Sequence, residues 1–94
     1  MKQKYQRLSV ITNPAGRKEI EGFLEGFLVD GIFGLDVTET YKIHYVFKEP
    51  LSAKLMEKYS RGIRRILKVK EFGFYQVDEK EAFSIRERFR KLGE

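Results

Sequence analysis

Hydrophobic and polar positions alternate over residues 4–12 (KYQRLSVIT), with Leu8 and Val10 on one side and Tyr5, Arg7 and Ser9 on the other, which predicts a half-buried strand. Asn13-Pro14 ends it and opens a helix, with Asn as N-cap and Pro at the first helical position. The period then changes. Ile20, Phe23, Leu24, Phe27 and Leu28 recur at i, i+3, i+4, i+7 and i+8, one apolar face that predicts a helix running to about Asp30. Gly31 and Gly34 bracket Ile32-Phe33 as a C-cap and turn. Residues 35–47 are rich in Thr, Tyr, Val and Ile and are long for one strand, so they are read as a hairpin turning near Glu39-Thr40-Tyr41, with one long bent strand as the alternative. Ile43, Tyr45 and Phe47 point one way there, and Lys42, His44 and Val46 the other.

Glu49-Pro50 stops the sheet, and residues 51–68 form a second amphipathic helix with Leu55, Met56, Tyr59, Ile63, Ile66 and Leu67 facing inward. Residues 69–77 (VKEFGFYQV) read as a strand with aromatics on both faces. Asp78 and Glu81 form a capping box for a last helix over residues 79–92, ended by Gly93. The order β-α-β-β-α-β-α predicts one α+β domain over residues 1–94, a ferredoxin-like βαββαβ sandwich with an additional C-terminal helix. An open β-α-β-α-β layer is the alternative.

Composition narrows the function classes. The sequence has no cysteine, which removes disulfides, thiolate zinc sites and cysteine nucleophiles, and one histidine, His44, which reads as a sheet-face side chain. The serines lack a strained G-x-S-x-G elbow, and no Walker or G-x-G-x-x-G loop is present. These absences predict a non-enzymatic protein without cofactor or metal. Residues 1–5 are not followed by an apolar stretch of signal-peptide length, and no run approaches a membrane span, so a cytoplasmic protein with no membrane partner is expected.

Charge placement adds a direction. Residues 1–47 carry six basic and six acidic side chains, residues 48–94 thirteen and eight, so the whole excess of +5 sits in the second half. On the second helix Lys54, Lys58, Arg61, Arg65 and Lys68 fall at i, i+4, i+7, i+11 and i+14 opposite the apolar face, bordered by Arg64. Such a ridge attracts phosphate backbones, because each neutralised phosphate releases a counterion. A solvated helix face would look the same in sequence.

Lys70-Glu71-Phe72-Gly73-Phe74-Tyr75-Gln76-Val77 resembles the octapeptide of the RNA recognition motif: Lys70, Phe72, Gly73 and Phe74 match, while Glu71, Tyr75 and Val77 depart. The resemblance implies that Phe72 and Phe74 stack on RNA bases from an open sheet face. More broadly, residues 7–77, with their Asp30-Gly31-Ile32-Phe33-Gly34-Leu35 stretch, look like the ferredoxin-like N-terminal substrate-recognition domain of ribosomal-protein lysine methyltransferases, without the tryptophans usual there. That likeness implies a recognition module without catalytic residues.

In the last helix Ala82, Ile85, Phe89 and Leu92 form an apolar stripe, which either covers the sheet or grips a partner. Two readings follow. One is a nucleic-acid-binding module, RNA favoured over DNA, that uses Lys54, Lys58, Arg61, Arg64, Arg65, Lys68, Phe72 and Phe74. The other is a protein-interaction domain that binds an acidic protein, or a second copy as a homodimer, through Ile85, Phe89 and Leu92 or a sheet edge.

Overall fold

The structure, a computed structural model, describes residues 4–35 and 39–92. Seven elements follow in order: β1 (Tyr5–Thr12), α1 (Pro14–Phe23), β2 (Phe27–Gly34), β3 (Tyr41–Phe47), α2 (Ala53–Arg64), β4 (Glu71–Val77) and α3 (Glu79–Leu92). The strands form one sheet in the order β2-β3-β1-β4, every neighbouring pair antiparallel. This is the ferredoxin-like βαββαβ topology with an extra C-terminal helix.

Alternation along the strands divides the side chains between two faces. Leu8, Val10, Ile43, Tyr45 and Phe47 turn to one side and close with Ile20 and Leu24 at α1 and Tyr59 and Ile63 of α2 into the main core. Tyr5, Val46 and Val77 turn to the other and meet Ala82 and Ile85 of α3 in a second, smaller cluster. The last helix therefore covers part of the sheet's second face.

Both helix starts expected from sequence are built as capping chemistry requires. The Asn13 side chain accepts from Gly16 N–H at 2.9 Å, with Pro14 at the first helical position. Asp78 accepts from Glu81 N–H at 2.7 Å. At α2 the cap is Ser52, which accepts from Leu55 N–H at 3.1 Å, so the helix begins at Ala53 rather than at residue 51.

The first helix is shorter than its apolar periodicity implies. It stops at Phe23, Leu24 is already extended, and Gly26 takes a positive φ of 62° that turns the chain into β2. Phe27 and Leu28 continue the helical spacing only by coincidence. They face opposite sides of a strand, Leu28 paired with Val46 and Phe27 with Phe47. Gly31 and Gly34 belong to that strand instead of forming a C-cap and turn, and the register shifts between Val29 and Gly31. A hairpin joins β2 to β3, but its first strand lies upstream of the segment read as hairpin; residues 36–38 of that segment, like Gly93, lie outside the described residues. Glu39, at φ 62°, sits just before β3. The second helix also ends early, at Arg64, which leaves Leu67 exposed in a turn rather than inward-facing.

Candidate nucleic-acid interface

Helix α2 owes its fixed position to three residues beneath it. Tyr59 stacks on Phe47 of β3 with ring centroids 5.7 Å apart, Ile63 is wholly buried, and Gly62 lets α1 approach so closely that an added Cβ would lie 3.1 Å from the Phe23 ring. The opposite face of the helix then points outward as a unit. Lys54, Lys58, Arg61 and Arg65 line an open concavity of about 660 Å³ with Ser52, Leu55 and Gly62.

Four of the six basic residues expected to form a ridge are thus brought together. Arg64 is exposed beside them. Lys68 lies beyond the helix, where its backbone carbonyl accepts the Thr12 hydroxyl at 3.0 Å, so it extends the surface toward the end of β1. Arg61 bonds Glu57 at 3.0 Å, an exposed i, i+4 pair that water weakens. Among the described residues, Lys54, Lys58 and Arg65 have no carboxylate partner. Residues 53–70 contain seven basic side chains against the single Glu57. The face concentrates positive charge with Glu57 as its one acidic side chain, and cations so placed can displace the counterions condensed on a phosphate backbone.

Phe72 and Phe74 lie on the helix side of the sheet, half-buried against the main core, and Phe74 stacks with Phe47 at a centroid separation of 6.4 Å. Their alternation partner Tyr75 takes the other face and is exposed. The octapeptide-like segment also forms an edge strand. Its two phenylalanines are therefore placed as core, not as a base-stacking platform.

The second face also brings together polar side chains that the sequence reading left as separate sheet-face residues. Ser9 Oγ lies 2.7 Å from His44 Nδ1, and the Phe33 ring meets the imidazole edge-on at 5.6 Å. Burial, then the positive charges of Arg7 and Lys42, hold the His44 pKa below its usual value. Arg7 is tied to Asp30 and reaches Glu81 at 3.6 Å, while Arg88 of α3 reaches Asp30 at 3.5 Å. The alternation of β1 and β3 was enough to place Ser9 and His44 on one face. Their adjacency needed the register Ser9↔His44, which depends on strand order.

The apolar stripe of α3 divides. Ile85 is buried in the second cluster and is unavailable to a partner, whereas Phe89 is 46% and Leu92 86% exposed, beside a small hollow shared with Val29, Asp30 and Arg88. Among the described residues no group of three or more His, Cys, Asp or Glu side chains is arranged to hold a metal ion. No helix among them is long and apolar enough to cross a membrane. Comparison with protein-family models finds no match, and neither the curated proteins nor the solved structures contain one.

Proposed function

We propose that this chain is a non-enzymatic module that binds nucleic acid, RNA in preference to DNA, through Lys54, Lys58, Arg61 and Arg65, with Arg64 and Lys68 extending the contact. The observation that carries this reading is the cationic concavity on α2, four basic side chains around one hollow with only Glu57 to offset them. The preference for RNA rests on shape. With α1 beside α2 and the sheet beneath it, the broad outer face of the helix suits phosphates that lie along a surface, as in a single strand or across the shallow minor groove of A-form RNA.

Fluorescence anisotropy with single-stranded RNA, duplex RNA and duplex DNA between about 50 and 200 mM salt tests it. Four neutralised phosphates on a single strand give a log–log salt slope of roughly −3. The double variant Arg61→Glu/Arg65→Glu should lose this binding while its circular dichroism stays unchanged. Undiminished binding by that variant overturns the assignment.

A second reading is supported by Phe89 and Leu92, exposed at the end of α3, as contacts for a partner protein; an acidic protein would also match the α2 face. Replacement of Phe89 by Asp separates the two readings, since it leaves RNA affinity intact if the α2 face is the functional one.

A further inference from the structure

The two edges of the sheet are guarded differently. Natural sheets protect edge strands with charge, proline or cover, because an open edge templates pairing with another chain. Strand β4 begins with Glu71, and Lys70 and Asp78 flank it. Strand β2 has no charge within its second half, although Asp36 follows it in sequence. After the register shift near Gly31, Gly31-Ile32-Phe33-Gly34-Leu35 contains no charged residue and no proline, and Ile32, Phe33 and Leu35 are 45%, 56% and 50% exposed. Asp30, the only charge in β2, is engaged by Arg7 and Arg88.

We infer that this edge is a homodimer interface, in which β2 of one chain pairs antiparallel with β2 of a second about a two-fold axis through Phe33. Backbone direction supports that centre. Leu35 N–H bonds the Thr40 carbonyl inside the hairpin at 2.9 Å, and the register continues through Gly34↔Tyr41 and Phe33↔Lys42. By the alternation of antiparallel ladders, Phe33 turns its backbone groups toward β3, while Ile32 and Gly34 turn theirs outward. An antiparallel copy then bonds Ile32 to Gly34 of its mate on both sides of the axis and brings the two Phe33 residues together as a non-hydrogen-bonded pair.

The side chains are self-complementary in the same register. Ile32 falls opposite the empty position of Gly34, where an added Cβ would meet nothing within 4 Å. Leu35 falls opposite Gly31, across which the Phe33 ring already folds, 3.1 Å from where a Cβ would stand. This self-match is what favours a second copy as the occupant: each exposed Ile32 meets the open Gly34 position of its mate on both sides of the axis. The inference is independent of the nucleic-acid reading.

The absence of cysteine allows a direct test. In a Phe33→Cys variant the two sulfurs would sit on the axis, where the Cα separation of a non-hydrogen-bonded pair, about 4.5 Å, falls within disulfide range. Mild oxidation should convert that variant to a covalent dimer much faster than a Tyr75→Cys variant, whose cysteine is equally exposed on β4. Sedimentation of the unmodified chain should show concentration-dependent dimerisation from the micromolar range, abolished by Gly34→Lys with the melting temperature retained. A unmodified chain that stays monomeric, a dimer that survives Gly34→Lys, or equal cross-linking of the two cysteine variants overturns the inference.

Discussion

Tyr45 shows how a single buried polar atom ties the core to a helix. Its ring is fully buried, yet its hydroxyl donates to Glu21 Oε2 at 2.9 Å, and Arg17 donates to the same oxygen at 2.5 Å. Burial, then the Glu21 carboxylate, drives the phenol pKa well above the usual tyrosine range. An acid whose folded pKa is raised contributes stability below its unfolded pKa and loses it as pH climbs, since only the unfolded chain then releases the proton. Unfolding free energy should fall above pH 10 by up to about 1.4 kcal/mol per pH unit from this group, and Tyr45→Phe should flatten the decline while it costs about 1 kcal/mol at neutral pH. Denaturant titrations at pH 7, 10 and 11 check both. For His44 the sign is opposite. Its depressed pKa means that stability present above about 6.5 is lost as pH falls, so His44→Gln should weaken the acid dependence below that pH.

At the scale of elements, the close contacts are the sensitive ones. An added methyl at Gly16 would stand 2.0 Å from the Oγ1 of Thr12, a fully buried side chain that is itself bonded to the Lys68 carbonyl. Gly16→Ala should therefore cost about 1–3 kcal/mol by overpacking, despite the better helix propensity of alanine. In α3, Ile85→Asp should unfold the helix from the sheet, with a loss of at least about 3 kcal/mol, whereas Phe89→Asp should leave thermal stability nearly unchanged. Scanning calorimetry of both variants distinguishes core from surface along one stripe.

Local chemistry made much of this scale readable in sequence. Asn13-Pro14 marked the start of α1, Asp78 that of α3, and alternation assigned Ile43, Tyr45 and Phe47 to one face. The stretch that misled was residues 24–34. Its aromatic and branched residues fit a helix face as well as a strand, and the decision lay with β3, to which they pair at long range. The same limit applies to the candidate site. The spacing of Lys54, Lys58, Arg61 and Arg65 put them on one side of a helix from sequence alone. That Phe72 and Phe74 face the core followed only from the sheet, because an aromatic strand looks alike from both sides.

At the scale of the whole molecule, two kinds of surface stand out. The outer face of α2 carries basic side chains, residues 31–35 along the β2 edge carry no charge, and α3 covers only part of the second face. If the charge of α2 governs association with a polyanion, Lys54→Ala and Lys58→Ala should each lower the magnitude of the salt slope by about 0.7 on single-stranded RNA without altering stability. Anisotropy titrations across salt read this directly. Strand order has a different consequence, one of timing. β1 occupies the middle of the sheet, and its second neighbour is β4, so Ile11 waits for Glu71 across sixty residues of chain. A ribosome that adds about 5–20 residues per second needs roughly 3–12 seconds to supply them. Throughout that interval the nascent chain holds an apolar strand with one side unmet, and its exposure to chaperones and to aggregation is set by the speed of translation over α2.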